Sequence, residues 1–270
     1  MVDFQKKQRY DYADLLEIMK LLRAPGGCPW DREQTHETIR RDLMEEACEV
    51  AEAIDNADMP GLCEELGDLL LQVVFHARIE EEKGGFTMED VVDGVCQKLV
   101  YRHPHVFGTT QVSGSEQVLV NWDVLKRKEK GQATTADAVD AVARTLPGLW
   151  RAEKIQKKAA KAGFTWPAPQ GAMDKLSEEM DELRAAVESG READAPHGVR
   201  EELGDVLFAA AMVARQYGVD PEEALHGACD KFAVRFRKVE ELAEGDMSGR
   251  TAEELLGLWN QAKEQETKQS

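Results

Sequence analysis

Two pairs of acidic residues in the second half of the chain could do chemistry together. Glu179 and Glu182 are three residues apart, and so are Glu202 and Asp205. In an α-helix that spacing puts both members of a pair on one face. The connection between the pairs, at about 190–197, is short enough for two helices to pack antiparallel. Four carboxylates then converge across the helix interface. Alone they would repel one another, and some would hold protons above the usual carboxylate range. A hard divalent cation removes the conflict. An oxygen-only donor set favours Mg²⁺, or Mn²⁺, over Zn²⁺, which prefers nitrogen and sulfur. Mg²⁺ keeps waters and bridges readily to phosphate oxygens. Lys231 and Arg235, one turn apart, share a face and suit phosphate, the arginine bidentately. Trp259 offers a ring on which a base could stack.

A single Glu-x-x-Glu is more often a solvated, ion-paired helix face. What strengthens the metal reading is an internal repeat. The first half has Glu45-Glu46-x-x-Glu49, then Glu64-Glu65-Leu66-Gly67-Asp68. The second has Glu178-Glu179-x-x-Glu182, then Glu201-Glu202-Leu203-Gly204-Asp205. Lys98-x-x-x-Arg102 corresponds to Lys231-x-x-x-Arg235, and Trp122-x-x-x-Lys126 to Trp259-x-x-x-Lys263. Four elements recur in one order, so a duplicated helical unit is the simplest explanation. Glu46, Glu49, Glu65 and Asp68 are then metal-ligand candidates of the first half. A rival pattern, Glu33-x-x-His36 with Glu223-x-x-His226, would suit a di-iron bundle. Its copies stand on opposite sides of their acidic repeats, which argues against it.

The elements that must position these groups read as helices throughout. Leu43, Met44, Ala47, Val50, Ala51 and Ile54 follow a helical period over 41–54. A more apolar helix covers about 61–82 and stops at Gly84-Gly85. Thr87 caps a third, running to Tyr101. Pro104 interrupts helical geometry at Arg102-His103-Pro104-His105. Another helix starts at Ser113 or Ser115 and carries Trp122 and Lys126. The polar stretch 128–136 is the expected domain boundary. A basic helix, Pro147 to Lys161, precedes a turn at 163–167. Helices at about 172–189, 198–217, 221–243 and 251–265 follow. Asp220-Pro221 and Thr251-x-x-Glu254 mark two of their starts.

The expected architecture is all-α, with two tandem helical-bundle domains completed by dimerisation. Its parts are an N-terminal helical domain at 1–130, a linker and connecting helix at 131–170, and a C-terminal catalytic helical domain at 171–270. Dividing 270 residues by a prior of about 150 per domain gives roughly two domains. Aromatics at 6% and scarce β-branched runs tilt against a sandwich or barrel. With 34 Lys and Arg against 52 Asp and Glu, the net charge of −18 argues against a general nucleic-acid binder. The longest strongly apolar run, Leu69 to Phe75, is far short of a membrane span, so no membrane partner is expected. Met1 to Lys7 has no apolar signal core. Five scattered cysteines without a Cys-x-x-Cys pair fit reduced, buried thiols and a cytoplasmic location.

The chain resembles the two-domain MazG family of nucleoside triphosphate pyrophosphohydrolases, within an all-α pyrophosphatase superfamily. Gly27-Cys28-Pro29-Trp30-Asp31, Gly67-Asp68-Leu69-Leu70-Leu71-Gln72-Val73-Val74-Phe75 and Arg102-His103-Pro104-His105-Val106-Phe107 carry the likeness in the first half. Leu146-Pro147, Lys154-Ile155-Gln156-Lys157, Gly163-Phe164-x-Trp166, Glu201-Glu202-x-Gly204-Asp205 and Lys231-Phe232-x-x-Arg235 carry it in the second. The likeness spans about 10–265. It implies Mg²⁺-dependent hydrolysis of ribo- and deoxyribonucleoside triphosphates to monophosphate and pyrophosphate by a homodimer. It also implies metal ligation and catalysis by Glu179, Glu182, Glu202 and Asp205, with the main activity in the C-terminal domain. Nucleotide contacts would come from Lys175, Glu178, Arg200, Glu201, Asp205, Lys231, Arg235, Trp259 and Lys263. The expected role is housecleaning of the nucleotide pool. The alternative is a catalytically silent, nucleotide-sensing or scaffolding helical dimer.

Overall fold

A computed structural model describes residues 4–190 and 192–269, so Arg191, in the connection expected at 190–197, lies outside the described residues. Every regular element among them is a helix. The chain divides into two compact units, residues 1–126 and 127–270.

The first unit opens with α1 (Tyr12–Arg23) and α2 (Pro29–Glu33), followed by α3 (Arg40–Asp55) and α4 (Met59–Glu82). Then come α5 (Met88–Arg102), the short α6 (Pro104–Phe107) and α7 (Ser115–Glu129), which runs across the division. Local chemistry accounts for the starts. Asp58 accepts the Gly61 N–H at 3.1 Å at the head of α4, and Thr87 with Asp90 forms a capping box for α5. Pro104 ends α5 as expected, through a His103 backbone at φ −121°, ψ 57°. α3 and α4 form the main packed pair, and α1 lies on α4. Met19, Ile39, Val74, Phe75 and Ile79 make the core, each burial contributing about 1.5–3 kcal/mol. Helices α1 and α2 fall outside the segments that periodicity marked. Leu15, Leu16 and Met19 nevertheless give α1 an apolar stripe against that core.

The second unit repeats the plan with additions. Its helices are α8 (Thr135–Asp140), α9 (Gly148–Ala160), α10 (Pro169–Glu188), α11 (Val199–Gln216), α12 (Pro221–Leu242) and α13 (Ala252–Gln269). α10 and α11 pack antiparallel, with Ala172 against Ala209 and Met212 at one end. Alanines there let the helix backbones approach closely. The segment 131–170 holds α8 and α9, and α9 packs on α11 and α12. Gln156 ties α9 to α11 by donating to the Phe208 carbonyl at 2.8 Å.

Each unit leaves large apolar side chains uncovered. On α4, Leu66 and Leu70 are exposed; their repeat counterparts on α11, Leu203 and Leu207, are exposed too. Met173, Met180 and Val187 mark an exposed stripe on α10 at a seven-residue interval. One sequence expectation therefore needs correction. Cys48, Cys63, Cys96 and Cys229 are exposed rather than buried, and only Cys28 is partly covered. Asp205 is exposed in the single chain, beside the exposed Leu207 and Phe208 on α11.

Candidate functional site

α10 and α11 bring the acidic pairs together. Carboxylate oxygens of Glu179, Glu202 and Asp205 lie within 4.8 Å of one another. They line a cavity of about 530 Å³ with Glu182, Lys175 and Glu201. Ala185, Ala186 and Ser189 leave room in it because their side chains are short. Glu179 and Glu202 are 7% and 5% exposed, an unusual burial for two like charges so close together. Glu182 stands at the edge of the triplet. Burial, a hydrogen bond with Glu179 and the charges of Glu179 and Glu202 push its pKa up.

Lys175 is the cation beside this cluster. Its Nζ is 2.6 Å from Glu179 Oε1 and 2.9 Å from Glu178 Oε1. The hydrogen bonds with Glu179 and Glu178 hold its pKa above the usual lysine range. Glu178 thus touches the site through Lys175. Glu201 accepts the backbone N–H of His197 at 2.8 Å. Arg200 turns to Asp194, with which it forms an ion pair, and does not line the cavity.

The other nucleotide-binding candidates gather elsewhere, on α12 and α13. Arg235 Nε is 2.6 Å from Glu266 Oε2 and opens onto a cavity of about 330 Å³ between those helices. The Trp259 ring packs 5.0 Å from Phe232, and the Arg235 guanidinium lies 5.9 Å from its centroid. Lys231 is exposed on α12, one turn before Arg235. Lys263 follows Trp259 by one turn of α13. Among the described residues, none of these four lines the acidic cavity within the chain.

The first unit carries a parallel cluster. Glu46, Glu49 and Glu65 bring carboxylate oxygens within 4.8 Å of one another across α3 and α4. Burial raises the pKa of both Glu46 and Glu65; Asp68 and Glu49 add like-charge repulsion. Three of the four repeat acids therefore meet in each unit, and the fourth, Asp68 in the first and Glu182 in the second, acts on them electrostatically. The first cluster is wetter: Glu46 and Glu65 are only half-buried and Glu49 is exposed. The repeated basic and aromatic positions also converge, since the Arg102 guanidinium and Lys126 Nζ lie 5.3 and 4.6 Å from the Trp122 centroid.

The di-iron rival finds no support in the packing of its residues. His36 Nε2 is 2.7 Å from Glu80 Oε1, and its Nδ1 is 2.7 Å from His76 Nδ1. Both ring nitrogens are taken up by α4, in hydrogen bonds that staple the segment before α3 to that helix.

His197 is the residue that sequence reasoning missed. Its ring Nδ1 lies 3.5 Å from Glu202 Oε1, and it lines the acidic cavity. A histidine in a polar connection has no period to mark it.

Residues 34–107 and 168–240 each match the MazG nucleotide pyrophosphohydrolase domain. The chain is 42% identical over 255 residues to a Thermotoga maritima protein named nucleoside triphosphate pyrophosphohydrolase/pyrophosphatase MazG, covering 93% of this chain and 95% of that one. It is 43% identical over 261 residues to the Escherichia coli nucleoside triphosphate pyrophosphohydrolase, covering 93% and 97%. An uncharacterised Bacillus subtilis protein, YabN, is 43% identical over 265 residues, which make up 97% of this chain and 53% of that protein. No helix among the described residues is long and apolar enough to cross a membrane.

Proposed function

The chain belongs to the MazG family, and from that premise we propose that it hydrolyses nucleoside triphosphates, ribo- and deoxyribo-, to the monophosphate and pyrophosphate. The observation that carries this reading is the convergence of Glu179, Glu202 and Asp205 in a cavity that also holds Lys175. A set made only of carboxylate oxygens, with two of its members buried, fits a hard divalent cation. Glu179, Glu202 and Asp205 would hold Mg²⁺, or Mn²⁺, with Glu182 completing the set. When bound, the cation would offset triphosphate charge and lower the pKa of a water.

The chain's own groups supply the rest. Lys175 is held beside the cluster by Glu178 and Glu179, where a cation meets a polyanionic tail. A carboxylate of the cluster takes the proton of the water that attacks the α-phosphorus. Lys231 and Arg235 bind phosphate oxygens, and Trp259 stacks on the base. These groups sit on a different helix pair from the acids. A second copy of the chain, docked on the exposed faces of α10 and α11, is one way to complete the site. Leu203 and Leu207 on α11 and Met173 and Met180 on α10 are exposed apolar groups that such a dimer would cover. Housecleaning of the nucleotide pool in the cytoplasm is the role we assign to this activity.

Product analysis tests the chemistry. Attack at the α-phosphorus of ATP yields AMP and pyrophosphate as the first products, read by chromatography of an early digest. ADP with orthophosphate as initial products would refute it, and no turnover would favour the nucleotide-sensing or scaffolding alternative. Light scattering tests the assembly. The chain is expected to run as a dimer, and Leu203→Glu with Leu207→Glu to run as a monomer. A monomeric parent chain would refute the docking of these faces.

A further inference from the structure

Residues 192–198 of the connection between α10 and α11 are built more tightly than a surface loop requires. Gly198 N–H donates to the Ala195 carbonyl at 2.8 Å, and Arg200 N–H to the Ala193 carbonyl at 3.1 Å. A Cβ at position 198 would meet the carbonyl oxygens of Ala193, Ala195 and Glu192 at 2.6, 2.7 and 2.7 Å. Only glycine fits there, because backbone closes on it from three directions. Immediately before it, His197 sits at φ 54°, a left-handed conformation that residues other than glycine rarely adopt. Its N–H is spent on the Glu201 carboxylate at 2.8 Å. Among the described non-glycine residues of the loop, His197 alone is left-handed, and it is the one whose side chain lines the cavity.

The ring, 75% exposed, comes near a specific atom. Its Nδ1 is 3.5 Å from Oε1 of Glu202, the least exposed carboxylate of the cluster. A movement of about 0.5 Å brings that pair to ordinary hydrogen-bond length. The first unit has no such device. Its α3–α4 connection is only residues 56–58, and the left-handed residue there is Ala57, whose side chain carries no donor.

We infer that His197 is a positioning residue for the C-terminal site: its Nδ1–H donates to Glu202 and fixes the direction in which that carboxylate offers its oxygens to the cation. This rests on the cation-dependent reading of the cavity. A group that orients a ligand acts on metal affinity more than on the reaction itself.

The test uses the full chain carrying Glu46→Gln and Glu49→Gln, so that the first cluster does not contribute. The probe is Mn²⁺, with free ion counted by electron paramagnetic resonance. His197→Gly removes the donor and relieves the backbone; His197→Asn keeps an N–H donor and tolerates the left-handed region. His197→Gly is expected to weaken Mn²⁺ binding about tenfold, with His197→Asn recovering most of it. Neither should lower the metal-free melting temperature. In the otherwise unchanged chain, His197→Gly should raise the Mg²⁺ concentration for half-maximal turnover while leaving kcat at saturating Mg²⁺ nearly unchanged. Parental Mn²⁺ affinity in His197→Gly would overturn the inference, and so would equal losses in the glycine and asparagine variants. Glu202→Gln in the same background is the control. If it binds Mn²⁺ as tightly as its parent, the cation-dependent reading of the cavity falls, and this inference with it.

Discussion

Glu182→Gln is expected to lower pyrophosphate release by roughly 100-fold, the cost of removing one well-placed charge from a preorganised site. Glu49→Gln should leave more than about half of it, since the contribution of the first unit is expected to be minor. The two residues hold the same place in the repeat, and each substitution keeps size while removing one charge. Their surroundings differ. In the second unit Glu179 and Glu202 are buried, and Lys175 stands 2.6 Å from Glu179. In the first, Glu49 is exposed, and Asp42 stands at the offset of Lys175. That reverses one charge beside a polyanionic substrate, and a site partly shielded from water amplifies the difference. Steady-state rates at saturating Mg²⁺ decide it, once light scattering shows that both variants keep the parental assembly. Normal turnover by Glu182→Gln with a dead Glu49→Gln would move the active site to the first unit.

Mg²⁺ should raise the melting temperature of the chain. A ligand at 100 times its dissociation constant adds about 2.7 kcal/mol to the stability of the state that binds it. Here the gain has a local cause, because each cluster gathers carboxylates that repel one another when ionised. The sign with pH follows from the directions of the shifts. The pKa values of Glu46, Glu65 and Glu182 are raised in the folded chain. Protonation therefore favours the metal-free fold, and that contribution is lost as pH rises through the raised values. The cation competes with those protons, so the stabilisation by Mg²⁺ grows over the same interval. Melting curves in EDTA and in millimolar Mg²⁺, taken at several pH values, provide the measurement. Superimposable curves at neutral pH would count against a carboxylate metal site in either unit.

Much of this site is legible before folding, for a physical reason. Helical geometry converts a three-residue interval into a shared face without any tertiary information. Glu179 with Glu182, and Glu202 with Asp205, are therefore paired by spacing alone. The repeat then identifies Glu46, Glu49, Glu65 and Asp68 as a second set. Breaks at Pro104 and at Asp220-Pro221 are equally local, because proline restricts its own backbone wherever it stands. Short elements were harder to foresee. α2 and α8 span too few residues to show a period.

Burial and the path of the loops came only with the tertiary structure. Glu179 and Glu202 are buried because α10 and α11 approach closely over small residues, whereas Glu182 and Asp205 stay at the rim. No interval along the chain distinguishes those outcomes, since they depend on what packs from the side. The cysteines show the same limit: an apolar thiol on a helix is buried only if a neighbour covers it. Lys231, Arg235 and Trp259 share their helices in the order expected, yet they gather on α12 and α13, apart from the acids. His197 is the clearest case. Its place over Glu202 depends on a left-handed backbone and on three carbonyls closing around Gly198. The sequence alone therefore determined which acids could act together, because helix periodicity is a property of neighbouring residues. Tertiary structure decided which of them are shielded and what stands over them, because loop conformation and burial are set by contacts through space.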